Sequence, residues 1–447
     1  MRTMTVILAM LAAGTLCAQT HSKVWTLDEC IGYALEHNIE IKRQELGVSN
    51  SEIGLSESRW DYAPSLSAGS SYSISSGRVL DQTTYEFIEN NVVGSSSASV
   101  SGSVQIFSGM RRHYALRKAK ASLKASLADL ESVRTDVELN VTAAYLQILC
   151  DQENLASARE MALMLESQME RIQTMVDLGR VTEADLLQIR SQHYAALNDV
   201  AAAEGQCRLS MMELCQLLEI QDWEDFKIEP MEVNAYDGMQ LFPRTDSISV
   251  ESRPEYQSAE AGVEVARRNL QIARASYYPT LSLSAGYGTI YSGARQKAVQ
   301  NPDGTYRYEA YPFFRQYLDN GSSYFSLSLN IPIFSGMSTR NSVRRAKNAS
   351  LDAQYALQTV RKQLSMEYEQ ALIEYQTSCR QYETAREQLA YAKEAARMMT
   401  EKYNLGKTDF ASWNTTMTEL AKAKYALSNT TYRNELARRT INIIRCL

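Results

Sequence analysis

The chain has 447 residues, 45% hydrophobic and 22% charged, which is long and apolar enough to bury a large core and excludes compositional disorder. A net charge of −6 gives no support for nucleic-acid binding. Eight prolines are few for this length, which suits long unbroken helices, because an internal proline costs a helix about 3 kcal/mol.

Arg2, the apolar run 5–13 and the small residues before Gln19 have the three regions of a secretory signal peptide, so residues 1–18 are read as a signal cleaved after Ala18. Cys17 would suit a lipoprotein, but Leu16 stands where acylated chains carry a small residue, which argues against lipidation. No later run of 18 apolar residues occurs, which argues against a helical membrane span and leaves a barrel as the way to cross. Cys30, Cys150, Cys207, Cys215, Cys379 and Cys446 are scattered and lack metal-ligand spacing. Cys207 and Cys215 lie about 12 Å apart along one helix, too far for a disulfide, and all six read as core or interface residues.

Residues 19–218 form a first structural repeat. Thr26 with Glu29 marks a capping box for a short helix over residues 26–36, and residues 38–60 continue helically until Tyr62-Ala63-Pro64. A strand over residues 65–75 follows, then a loop over 76–95 containing Gly77, Asn90, Asn91 and Gly94, then a strand over 97–106. Ile106-Phe107-Ser108-Gly109-Met110 leads into a helical pattern that runs without proline to Leu178, about 100 Å at 1.5 Å per residue. Gly179 is placed as its C-terminal cap, and Thr182 with Asp185 begins the returning helix, so a helical hairpin with a sharp tip is predicted.

Residues 219–249, with Trp223, Pro230, Gly238 and Pro243, read as an irregular linker. The plan then recurs in a second repeat, residues 250–447. Tyr277-Tyr278-Pro279-Thr280-Leu281 matches Tyr62-Ala63-Pro64-Ser65-Leu66, and Ile333-Phe334-Ser335-Gly336-Met337 repeats the earlier five letters. Strands are predicted over 280–289 and 324–333, separated by a loop with an Asn301-Pro302-Asp303-Gly304 turn. A second long helix ends at Leu405-Gly406-Lys407 as the first ended at Leu178-Gly179-Arg180, and the two agree in length to within about a residue, as the parallel walls of a tube require.

Each strand alternates an apolar with a serine-rich parity. Leu66, Tyr72, Val100, Val104, Leu281, Leu283, Phe325, Leu327 and Leu329 lie on the apolar parity, with Ile74, Ile106, Ile331 and Ile333 alongside. A soluble two-faced sheet accounts for this, and so does a membrane barrel whose apolar face meets lipid and whose serine face lines a wet lumen. Roughly ten residues per strand suits the second reading. Four strands cannot close a barrel, and open edges are not tolerated in lipid, so several copies must share one; three copies give twelve strands.

The export signal, the Tyr-x-Pro-[ST]-Leu segments at Tyr62 and Tyr277, the Ile-Phe-Ser-Gly segments at Ile106 and Ile333, the Leu-Gly tips at Gly179 and Gly406 and the tandem halves together resemble the TolC family of outer-membrane efflux proteins. The resemblance covers nearly the whole mature chain. It implies a mainly α protein in which long antiparallel helices form an α-barrel and four strands per chain contribute to a trimeric twelve-stranded β-barrel. It implies a homotrimer in the Gram-negative outer membrane, in contact with its lipid, with a helical tunnel in the periplasm. It also implies a passive exit duct of a tripartite efflux or type I secretion system, passing small molecules such as drugs or metals from a periplasmic adaptor and an inner-membrane pump of the RND or ABC type. Carried over by position, Gly179, Arg180, Gly406 and Lys407 are the adaptor-contacting tips. Asp185 and Asp409 are the candidate gate, with Asp185 the better placed, because Ser412 and Thr415 stand where some family members carry aspartates.

No catalytic set or cofactor site is expected. His21, His37, His113 and His193 share no local motif with carboxylates or cysteines, and the Gly/Ser clusters lack the ending of a phosphate loop. Tyr306, Tyr308, Tyr311 and Tyr317 suit either an interfacial aromatic girdle or ordinary loop surface. The reading from another functional class is a periplasmic coiled-coil scaffold or adhesion protein, which explains the helices but leaves the serine parity without a purpose.

Overall fold

The computed structural model describes residues 24–80, 85, 87–231 and 250–446; the predicted signal, Cys17 and residues 232–249 of the linker lie outside them. In chain order the elements are β1 (Val24–Trp25), α1 (Leu27–His37), α2 (Ile39–Trp60), β2 (Ser65–Leu80), β3 (Phe87–Phe107), α3 (Arg111–Asp177), α4 (Glu183–Leu217) and β4 (Lys227–Ile228). The second half follows with α5 (Pro254–Ala275), β5 (Thr280–Ser292), β6 (Gln296–Gln300), β7 (Tyr306–Ala310), α6 (Phe313–Asp319), β8 (Ser322–Asn330), α7 (Ser338–Asn404) and α8 (Phe410–Cys446). The long helices α3 and α7 are each 67 residues, matching the equality expected from sequence.

The first cap forms as predicted: Thr26 Oγ1 accepts from the Glu29 amide at 3.2 Å, and Glu29 accepts from the Thr26 amide at 3.1 Å. The predicted helix over 38–60 starts one residue later. Asn38 leaves helical geometry with ψ 133°, its side-chain oxygen accepts from the Glu40 amide at 2.8 Å, and its amide donates to the Leu217 carbonyl at 3.0 Å. Asn38 thereby begins α2 and satisfies an orphan carbonyl at the end of α4.

The chain divides into two compact units, each drawing on both repeats: Met1–Gly47, Leu127–Gln257 and Thr359–Leu447 in one, Val48–Ser126 and Ser258–Gln358 in the other. The first unit is helical. Tyr145, Ile148, Tyr375 and Ile441 are almost completely buried, each such side chain contributing about 1.5–3 kcal/mol. The linker is less irregular than its composition suggested. β4 pairs in parallel with β1, and the Tyr145 hydroxyl donates to the Glu229 carbonyl at 2.7 Å, which ties the segment to α3. Cys30, Cys150, Cys215 and Cys379 are buried and Cys207 half-buried, all five as free thiols.

The second unit carries a four-stranded antiparallel sheet, order β2-β3-β5-β8. Its strands depart from the expected bounds in three ways. The predicted loop over 76–95 is mostly strand: β2 runs 16 residues and β3 21, with Ser75 opposite Val93 and Gly77 opposite Asn91. Backbone pairing, once nucleated by the alternating segment, continues where side-chain alternation has faded. A register shift between Gln105 and Phe107 sets Phe107 opposite Leu281, so Ile106 does not continue the parity of Val104. Ile331 and Ile333 lie beyond the end of β8 at Asn330, because Pro332 has no amide to donate to a ladder. The loop between the third and fourth predicted strands contains unpredicted structure, the β6–β7 hairpin around Asn301–Thr305 and the short helix α6.

Candidate functional site

Register across the sheet separates two faces. On one, Ser65 lies opposite Ser103, Ser67 opposite Ser101, Ser71 opposite Ser97 and Ser73 opposite Ser95, with hydroxyl oxygens 3.0, 3.2, 2.8 and 2.8 Å apart. The rows continue into β5 and β8, where Ser103 meets Ser284, Ser284 meets Ser326, and Ser282 meets Ser328. Short hydroxyl side chains in file make a flat hydrogen-bonding surface that carries no charge. Gly286 belongs to this face because the Tyr324 ring lies across it, 2.6 Å from where a Cβ would stand.

The other face is apolar. Val104 lies opposite Leu283 and Leu283 opposite Leu327; Leu281 faces Leu329, Ala285 faces Phe325, and Val100 faces Tyr287. The same register carries Leu66 and Tyr72, so all nine positions singled out on the apolar parity share one surface. Leu66, Tyr72, Val100, Phe325, Leu327 and Leu329 are exposed on the single chain, and Val104, Leu281 and Leu283 are half-buried. A continuous sheet of exposed large apolar side chains is a surface made to be covered. Among the described residues β2 and β8 are each paired on one side only. Strand directions alternate across the sheet, so joining β8 of one copy to β2 of another continues the antiparallel pattern.

The strand-to-helix turns are built twice from one motif. Gly109 and Met110 have φ of 60° and 68°, and Gly336 and Met337 have 57° and 65°. Two successive left-handed residues reverse the chain, and the glycine makes the first of them inexpensive.

The two predicted tips lie in the helical unit and share one geometry. Gly179 has φ 67°, its amide donates to Val176 O at 2.8 Å, and the Arg180 amide donates to Met175 O at 2.9 Å. Gly406 has φ 71°, with its amide on Tyr403 O at 3.0 Å and the Lys407 amide on Lys402 O at 2.9 Å. Both are Schellman closures, and both leave the following cation exposed. Asp185 is half-buried in a capping box: it accepts from the Thr182 amide at 3.2 Å and hydroxyl at 2.5 Å, while its own amide donates to Thr182 Oγ1 at 3.3 Å. Asp409 is exposed and accepts from the Ser412 amide at 3.0 Å; hydrogen bonds from Ser412 hold its carboxyl below the usual range.

Sequence reasoning did not single out what joins the tips. Trp413, 1% exposed, stacks on Tyr403 at 5.4 Å and donates to Thr400 Oγ1 at 3.2 Å. The Arg171 guanidinium on α3 donates to Asn404 Oδ1 and lies over the Tyr403 ring. Ile172, Leu186 and Ile189 from the first hairpin join Phe410, Trp413 and Met417 from the second in one buried cluster. Trp413, four residues after Asp409 at the start of a helix, is the signal the sequence offers.

Among known proteins, the family described as outer membrane efflux protein matches residues 30–218 and 247–443. The pyoverdine export outer membrane protein OpmQ of Pseudomonas aeruginosa is 28% identical over 48% of this chain and 45% of its own length. The alkaline protease secretion protein AprF of the same organism is 24% identical over 69% of this chain and 63% of its own. The chain thus spans less than two thirds of either relative. Among solved structures, the Campylobacter jejuni CmeC outer membrane channel superposes with TM-score 0.76 at 18% identity, covering 94% of this chain and 85% of that one. The open state of the Neisseria gonorrhoeae MtrE outer membrane channel superposes with TM-score 0.71 at 17% identity, covering 94% and 88%.

Proposed function

We propose, because this chain belongs to the outer membrane efflux protein family, that it is a passive exit duct through the outer membrane, assembled from three copies and loaded from the periplasm. The observation that carries this reading is the sheet with a hydroxyl face, an apolar face and two edges fit for antiparallel closure. In lipid an unpaired strand edge costs several kcal/mol per orphan group, so four strands are a fraction of a barrel, and three such sheets give twelve strands. The serine rows then line the pore and the nine apolar positions meet lipid.

The tips are the docking end for a periplasmic adaptor, which links the duct to an inner-membrane pump that supplies the energy. Arg180 and Lys407 stand exposed on rigid closures, which suits contact with an acidic partner surface. Asp185 and Asp409 cap helices here, and as gate residues they would exchange those backbone partners for others when the tips move. OpmQ is named for pyoverdine export and AprF for secretion of a protease; small toxic molecules are the cargo proposed for this chain.

The test is fractionation and conductance together. The protein should stay with outer membranes after a carbonate wash, extract as a trimer and conduct ions in planar bilayers. A water-soluble monomer would overturn the proposal. Cysteines placed at Arg180 and Lys407 should crosslink in cells to a periplasmic adaptor, and recovery of none removes the docking assignment.

A further inference from the structure

Where β8 leaves the sheet, α6 takes its place. The last β5–β8 pair is Gly288 with Ser322, and beyond it the β5 backbone is met by side-chain amides instead. Gln316, fully buried, accepts from the Ser292 amide at 3.1 Å and donates to the Ser292 carbonyl at 3.0 Å and the Tyr311 carbonyl at 2.8 Å. Asn320 donates to the Ile290 carbonyl at 2.7 Å.

The helix also lies over the apolar face. The Tyr317 hydroxyl bonds to Ser96 Oγ at 2.6 Å, Thr289 Oγ1 donates to the Tyr317 carbonyl at 2.7 Å, and the Phe313 ring packs on Tyr291 at 4.7 Å. Ser96, Thr289 and Tyr291 share the parity of Val100 and Tyr287. With 100° per residue, the sheet-facing set Phe313, Gln316, Tyr317 and Asn320 turns Phe314 and Leu318 outward. These are 80% and 76% exposed, an apolar pair one turn apart on a helix that cannot roll.

We propose that α6 is an outer-leaflet anchor, with Phe314 and Leu318 set among the acyl chains just below the lipid headgroups. The proposal rests on the membrane reading of the sheet. Four observations select lipid as the occupant. The helix is continuous with the apolar face, so whatever covers Val100 and Tyr287 reaches it. Its height fits: ten residues of β5 separate Leu281 from Tyr291, about 25 Å at ~3.4 Å per residue and ~40° tilt, which is the height of a barrel's apolar band. Beneath it the same face has a shallow recess of about 380 Å³, floored by the small side chains of Ala68, Ser70, Ala98, Val100 and Thr289 beside the Tyr287 ring, with room for an acyl chain. Arg315, 67% exposed and 3.7 Å from Asp319, stands beside the two apolar residues on the outer side of the helix, where its stem can lie in the interface with the guanidinium in the headgroups.

The experiment is depth-resolved fluorescence quenching of the full-length protein in phosphatidylcholine vesicles brominated either high on the acyl chain or near its end. The emission added by Phe314→Trp, relative to the parent protein, should be quenched several-fold more by shallow than by deep bromine. Emission added by Val100→Trp, in mid-sheet, should show the opposite order. Quenching at position 314 by aqueous iodide alone overturns the anchor, as does protection from both iodide and bromine, which would place a second copy of the chain there. If Val100→Trp is also untouched by bromine, the membrane reading of the sheet fails, and the anchor with it.

Discussion

Gly109 and Gly336 hold the same place in the two repeats yet meet different surroundings. A Cβ at Gly109 would stand 2.6 Å from Tyr278 Cβ and 2.8 Å from the Ala275 carbonyl oxygen, whereas among the described residues nothing lies within 4 Å of one built at Gly336. Gly336→Ala therefore carries only the left-handed backbone penalty, about 1–2 kcal/mol. Gly109→Ala adds a clash with backbone, for a total of about 3 kcal/mol or more. Urea titrations of the two variants, in a detergent that dissociates the proposed trimer, should separate by that difference, and equal midpoints would refute it. A second residue-scale prediction concerns Glu255. Burial pushes its carboxyl up, but the fork from Arg253, with contacts of 3.1 and 3.0 Å, and the Ser132 hydroxyl outweigh burial and hold it below 4.5. The folded state thus prefers the carboxylate, so this contribution is complete above 4.5 and is lost as pH falls through the lower folded value. Glu255→Gln should cost about 2 kcal/mol at neutral pH and less at an acid pH below the folded value, read as melting temperature. A penalty of equal size at both pH values would show that the charge is not what matters.

At the scale of elements, neighbouring residues of β3 report on opposite faces. Val100→Arg puts a charge on the apolar face near mid-sheet and should cost about 2–4 kcal/mol in vesicles. Ser101→Arg, one residue on, should fold normally and shift the ion selectivity of the proposed channel toward anions, measured as reversal potential under a salt gradient. If both fold equally well, the two faces are not what they are taken to be. These faces were legible in the sequence because alternation is a local property that backbone geometry converts directly into sides of a sheet. The tips were legible for the same reason: the Thr182–Asp185 box and the closures at Gly179 and Gly406 need only residues within one turn. What was missed depends on distant partners. α6 has seven residues, too few to nucleate alone, and is held by Gln316 and Asn320 on a strand about 25 positions away. The upper hairpin of β2 and β3 is paired through backbone that no side-chain pattern announces, and the shift at Ile106 reverses a parity without any proline or glycine to mark it. Arg171 and Trp413 join two hairpins more than 200 residues apart, and no spacing predicts that meeting.

At the scale of the whole molecule, the same glycine asymmetry points to how the proposed ring closes. Duplication makes Trp60 and Ala63 the counterparts of Ala275 and Tyr278, as Gly336 is of Gly109. The first seam is filled within the chain: Ser108 is 7% exposed, and Phe107, Gly109 and Met110 line one pocket with Ala275 and Tyr278. The second is bare. Ile333 and Phe334 are 95% and 79% exposed, against 55% and 42% for their counterparts Ile106 and Phe107, and Trp60, which matches Ala275 of the first seam, is 73% exposed. Each chain therefore owns both halves of a joint that it makes only once internally. In a ring the two loose halves meet between neighbours, the segment after β8 of one copy against the elbow before β2 of the next, which is also the order in which the open strand edges must pair. Cysteines introduced together by Ala63→Cys and Met337→Cys should then be bridged by a short bis-maleimide in the native membrane, giving dimer and trimer bands on denaturing gels and a closed species at full modification. Either substitution alone, in a background with Cys207 and Cys446 replaced by serine, should give no ladder, since Cys30, Cys150, Cys215 and Cys379 are buried. Bridging confined to single chains would mean that the loose halves satisfy each other within one protomer, and closure by identical copies would have to be abandoned.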